Sequence, residues 1–135
     1  DQVDTGLTLS DAYNALAEVH KKHECLMNPI TWGGGDSQEL RSQLGDVPNW
    51  VFGRRWIDVK TLFVSRQLAL QLPFQGGLAK SLTKGGLNFK GRKHNAVCDA
   101  ENTFYMYRKL LEYFKSHTVL PGQACVCGAK KFGDM

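Results

Sequence analysis

The chain has no run of about 18 apolar residues, so no segment of it reads as a membrane-spanning helix. It has no internal repeat, no low-complexity tract and no long linker, which excludes solenoid and array architectures. Its opening, DQVDTGLTLS, lacks the cationic and apolar blocks of a secretory signal. It also lacks the ligand spacing of a zinc site. Cys25 and Cys98 stand alone, and Cys125 and Cys127 form a C-x-C, whereas paired zinc cysteines have at least two residues between them. The two late cysteines are expected in a solvent-side tail, with a metal there as the lesser alternative. Four irregularly spaced cysteines in a chain of this length do not make a disulfide framework. The expectation is a cytoplasmic protein with reduced thiols.

The most informative absence is of negative charge. From Val59 to Cys98 there is no Asp or Glu, while Lys60, Arg66, Lys80, Lys84, Lys90, Arg92 and Lys93 all fall in that span. The net charge of +4 is modest, but a stretch of one sign is an electrostatic footprint for a polyanion. A solvated basic face is the plain alternative.

What is present suits a folded domain. The 135 residues, 42% apolar, are enough for one domain with a core of its own. Thr8 to about His23 is a predicted helix, with Thr8 and Asp11 at capping-box spacing and Leu9, Ala12, Tyr13, Leu16 and Val19 along one face. Ile30 to Trp32 reads as a buried strand. Three glycines follow, and Asp36 or Ser37 is placed to cap a short helix that ends at Gly45. Trp50 to Asp58 is a second strand candidate with a bulge at Gly53, and Asp58 would cap a helix over about Val59 to Leu70. A short helix lies between two glycine pairs, and a loop with a brief extended piece covers Leu87 to Val97. The last helix is expected from Asp99 to about Ser116, with Ala100, Phe104, Tyr107, Leu111 and Phe114 on its packed face. Trp32, Trp50 and Trp56 read as core or rim. Short strands followed by helices predict an α/β layer fold.

Three residues in this layout could carry chemistry. Asp99 stands at the first turn of a long helix, where the dipole favours a carboxylate, and it could equally be a plain cap. His94 lies in the glycine-flanked loop before it. An imidazole there is suited to a general base or to local packing. Asp36 follows a strand and a glycine turn, at the sheet edge where open α/β folds gather their sites. Two aspartates and a histidine beside a basic stretch suit metal-assisted phosphodiester hydrolysis. Carboxylates would hold Mg²⁺ or Mn²⁺, His94 would deprotonate water, and Lys90, Arg92 and Lys93 would contact phosphates.

At these residues the sequence resembles a known family. "HNAVCDAENT", with His94 and Asp99, looks like the third motif of the DEDDh 3′–5′ exonucleases. "TWGGGDSQEL", with Asp36, looks like the second. "RRWIDVKTLF" and "GGLAKSLTKGGLNFKGRKH" are similar to intervening segments of the branch that trims histone mRNA and small RNAs. The similarity runs over about residues 2 to 115. The resemblance implies a ribonuclease-H-like mixed sheet flanked by helices. It implies removal of nucleotides one at a time from single-stranded 3′ ends, RNA more than DNA, with two divalent ions. It makes Asp36 and Asp99 metal carboxylates, His94 the general base and Asn102 a helper.

The family's first motif, an Asp-x-Glu on its first strand, has no counterpart ahead of Ile30. On this expectation, residues 1–118 are the C-terminal portion of an exonuclease domain without its N-terminal strands, and 119–135 are a tail. An upstream segment or a partner chain would complete the sheet. The alternative is a catalytically incomplete nucleic-acid-binding or structural subunit derived from that fold.

Overall fold

The computed structural model of the chain describes residues 5–118. The expected tail, with Cys125 and Cys127, lies outside the described residues. The chain divides into two compact units, Asp1–Asp58 and Val59–Met135. No helix among the described residues is long and apolar enough to cross a membrane.

The first unit opens with α1 (Leu9–Lys22). Thr8 caps it as its spacing predicted: its hydroxyl accepts from the Asp11 amide at 3.1 Å and donates to the Asp11 carboxylate at 2.6 Å. His20, Lys21 and Lys22 in the last turn face the negative end of the dipole. Strand β1 (Ile30–Thr31) pairs in parallel with β2 (Ile57–Asp58), Ile30 opposite Ile57 and Thr31 opposite Asp58. Between them lies α2 (Asp36–Leu44). Its N-cap is Gly35, at φ 104, and Gly45 ends it. Neither Asp36 nor Ser37 is the cap, and Asp36 is the first helical residue.

Two expectations for this unit are corrected. Of the apolar face read for α1, only Tyr13 is buried, while Leu9, Leu16 and Val19 are substantially exposed. The helix docks through one aromatic residue instead of a full stripe. The second strand is also far shorter than Trp50–Asp58, because side chains hold most of that segment and a ladder does not. Trp50 stacks on Tyr13 with ring centroids 5.6 Å apart, and Phe52 meets Trp50 and Trp56 edge-on at 5.5 and 5.4 Å. Trp56 turns back to donate to the Gly53 carbonyl at 3.2 Å. A side chain at Gly53 would lie 3.2 Å from the Met27 carbonyl, so the close approach of the two segments leaves little room for one there.

The second unit is helical. Helix α3 (Val59–Ala69) follows β2 with no intervening residue. Helix α4 (Leu78–Lys84) lies between its glycine pairs, and α5 (Ala96–His117) ends the described chain. Both α3 and α4 pack on α5, and Val59, Phe63, Leu82, Met106 and Leu110 form the core. Each such side chain contributes roughly 1.5–3 kcal/mol by its removal from water.

The buried face of α5 is not the one its apolar spacing suggested. Asn102, Thr103, Met106 and Leu110 are buried, whereas Phe104 and Leu111 are 47% and 46% exposed. Asn102 and Thr103 can go inside because their polar atoms are bonded there. The Thr103 hydroxyl donates to the Asp99 carbonyl at 2.8 Å, and Asn102 makes three bonds.

Tyr13 ties α1 to the segment after α2. Its hydroxyl donates to the Asn49 carbonyl at 2.8 Å and accepts from the Val51 amide at 2.9 Å. Tyr13→Phe keeps the ring packing and orphans both groups. It should cost about 1–2 kcal/mol, read as a lower denaturant midpoint at unchanged slope.

Candidate functional site

The loop that carries His94 is built from its two ends. At one end Asn102, fully buried, accepts from the Lys90 amide at 2.9 Å and donates to the Lys90 carbonyl at 2.7 Å. The same amide group donates to the Cys98 carbonyl at 2.7 Å. One side chain thus reads both backbone groups of Lys90 and fastens the loop to α5. Gly91 comes next, at φ 85. A Cβ there would stand 2.6 Å from the Cys98 sulfur, so both its conformation and its surroundings require glycine.

At the other end the Asn95 amide donates to the Arg92 carbonyl at 3.3 Å and closes a tight turn over Arg92–Asn95. His94 occupies this turn at φ 62, one of only three non-glycine residues with positive φ among those described. Left-handed backbone costs a residue with a side chain on the order of 1 kcal/mol and collects at functional positions. The imidazole is exposed.

Asn95 is the N-cap of α5, its side-chain oxygen accepting from the Cys98 amide at 3.2 Å. The helix therefore starts three residues earlier than expected, and Asp99 is not its cap. Asp99 sits in the first turn, half-buried, near the positive end of the dipole. Its carboxylate has no hydrogen bond among the described residues. His94 and Asp99 thus lie on one tight turn and the helix turn that follows it.

Asp36 belongs to the first unit, at the head of α2, and is exposed. The glycine turn before it is tied down from both sides. The Gly33 amide donates to the Asp58 carboxylate at 2.9 Å, and the Thr31 hydroxyl donates to the Gly33 carbonyl at 2.9 Å. Gly33 and Gly35, at φ 99 and 104, supply the left-handed backbone. Asp58, directly ahead of α3, thus reaches with one carboxylate oxygen to the turn that presents Asp36.

Of the basic residues, Arg92 and Lys93 are exposed on the His94 loop, and the Lys90 ammonium lies over the Tyr105 ring, 4.6 Å from its centroid. Asn102 was expected only as a helper, and it proves to be the clamp of the loop. Its one sequence signal was the resemblance, which places an Asn at that position.

The chain does contain one Asp-x-Glu, Asp99-Ala100-Glu101, but it lies within α5. On a strand two such carboxylates share a face. On a helix residues two apart point to different sides, so this pair does not replace the missing motif. Among the described residues no group of three or more His, Cys, Asp or Glu is arranged to hold a metal ion. The donors fit Mg²⁺ or Mn²⁺ in kind, as oxygen ligands with no other bond among the described residues, and are too few to enclose two ions. Comparison with protein-family models, with curated proteins and with solved structures finds no match.

Asn102→Ala removes three hydrogen bonds and leaves both Lys90 backbone groups without their partner. It should lower stability by about 2–4 kcal/mol and speed amide exchange at Lys90. Gly91→Ala should cost a similar amount through strain against Cys98, and Gly91→Ala with Cys98→Ala should recover part of it. Full additivity of the two changes would show that the clash with the sulfur is not the cause.

Proposed function

We propose that this chain is part of a 3′–5′ exonuclease that removes nucleotides from single-stranded 3′ ends, RNA more than DNA. The observation that carries this is His94: an exposed imidazole held in left-handed backbone by a clamped loop, directly ahead of a helix turn whose Asp99 carboxylate has no bond among the described residues. A loop that only needed to connect α4 to α5 has no use for histidine at a strained position. The absence of acidic residues from Val59 to Cys98 supports a polyanionic substrate.

In this proposal Asp36 and Asp99 would each offer a carboxylate to Mg²⁺ or Mn²⁺. Bound ions would neutralise charge on the phosphate and lower the pKa of a coordinated water. His94 takes the proton as the water oxygen bonds to phosphorus. The bond from phosphorus to the 3′ oxygen of the preceding nucleotide breaks, and that oxygen takes a proton from solvent and leaves as the hydroxyl of the shortened strand. Lys90, Arg92 and Lys93 hold neighbouring phosphates. The fold proposed is ribonuclease-H-like, and an upstream segment or a partner chain would supply the further carboxylates and strands.

A second reading is favoured by one observation, the lack of a three-ligand cluster among the described residues. On that reading the chain is a catalytically incomplete nucleic-acid-binding or structural subunit of the same descent.

The two separate in one assay with 5′-labelled single-stranded RNA and DNA, in Mn²⁺ and in chelator. The exonuclease reading expects metal-dependent shortening from the 3′ end. His94→Ala should slow it by about 10²–10⁴-fold, as expected for loss of a general base, and Asp99→Asn should also slow it. Salt-sensitive binding with no shortening would mean that this chain is a fragment without its further carboxylates or the incomplete subunit, and the same assay on the chain with its upstream segment decides between them.

A further inference from the structure

A second concave surface runs along α5 and, apart from Lys90, takes no part in the proposed hydrolysis. One hollow of about 370 Å³ is lined in part by Lys90, Tyr105, Arg108, Lys109 and Glu112. Another of about 230 Å³ is lined by Arg66, Lys109, Glu112, Tyr113 and Ser116. They share Lys109 and Glu112, so they adjoin. Residues 105, 109, 112 and 116 recur at steps of four and three, which makes one stripe along the helix. All of these residues belong to the second unit.

The walls combine cations with aromatic rings, and two of the cations, Arg66 and Lys90, are held in place. The Arg66 guanidinium lies over the Tyr113 ring, 4.7 Å from its centroid. It also donates to the Gln67 side-chain oxygen at 2.7 Å. Gln67 is 1% exposed and fixed in turn by its bond to the Pro73 carbonyl at 2.8 Å. Lys90 has its backbone clamped by Asn102 and its ammonium over Tyr105. Arg108 and Lys109 are exposed. Four cations face the single acid Glu112.

Cations already ordered on aromatic rings lose little freedom when a phosphate arrives. From Tyr105 to Tyr113 the helix rises about 12 Å. A duplex strand carries one phosphate per about 3.4 Å of its axis, so the stripe is longer than one nucleotide. Hollows with aromatic walls suit the unstacked sugars and bases of a single strand, whereas a duplex presents mainly its phosphates.

We propose that this groove binds single-stranded nucleic acid, with phosphates against Arg66, Arg108 and Lys109 and with a base or sugar in the hollow beside Tyr105. The site shares Lys90 with the loop that carries His94 and does not require hydrolysis there. It would grip the strand away from the reacting 3′ end in an enzyme, and would bind equally in an inactive subunit.

The test is anisotropy of 5′-labelled oligo(U) and oligo(dT) in chelator, so that no cleavage occurs. Arg108→Glu with Lys109→Glu changes two exposed residues, and far-UV circular dichroism checks that helix content is kept. Affinity should fall about tenfold or more. The salt slope should shrink by about 1.4, from roughly 0.7 for each of two phosphates that the variant no longer neutralises. Lys21→Glu with Lys22→Glu makes the same change in net charge on α1 and should have little effect. His94→Ala should bind like the unaltered chain, which separates this site from the exonuclease reading. Acetylation footprinting of the unaltered chain gives a second readout, with oligo(U) expected to protect Lys90 and Lys109 but not Lys21 or Lys22. Equal losses in the two double variants, or no protection of Lys90 and Lys109, would overturn the proposal.

Discussion

The second unit depends on one carboxamide. Asn102 lies inside α5 where the apolar pattern would have an aliphatic residue, and it spends its polarity on the backbone of a loop twelve positions earlier. An apolar residue could fill the space but could not bond Lys90. Because the bonds reach an amide and a carbonyl of the same residue, they fix its orientation as well as its position. Gly91, the turn over Arg92–Asn95 and the start of α5 all follow from that point. A buried amide with both ends satisfied stabilises modestly on average and is costly to disturb, which suits a residue that sets geometry.

The first unit relies on side chains in another way. Its parallel strand pair is only two residues long on each side. Most of the organisation after α2 comes from rings gathered around Phe52 and from the Tyr13 hydroxyl. Asp58 does for the turn before Asp36 what Asn102 does for the loop before Asp99: a side chain distant in sequence bonds the backbone of a glycine turn. In both units the candidate residue follows a turn that is held from elsewhere in the chain.

Much of the local structure was legible in the sequence. Thr8 with Asp11, Gly45 and the glycine pairs around α4 marked helix ends, because capping and left-handed backbone are tied to residue type. The errors arose where two solutions were locally equal. Asn95 and Asp99 are both good caps four residues apart, and only the hydrogen bond to the Cys98 amide decides between them. Two stripes of α5 could have been buried. The apolar one looked better, since burial of Asn102 and Thr103 depends on partners that periodicity does not show. The long strand read over Trp50–Asp58 failed because β-prone aromatics there pack on one another. His94, Asp99 and Asp36 could be singled out from spacing and resemblance. The left-handed backbone at His94 and the clamp behind it could not.

That backbone angle places two separate filters on position 94. Conformation alone would admit Gly readily, and Asn or Asp at modest cost, because these tolerate φ near 60°. Proton transfer near neutral pH favours imidazole. A library randomised at this position and sorted for folding should therefore return a different set of residues from one sorted for chemistry, with histidine common to both.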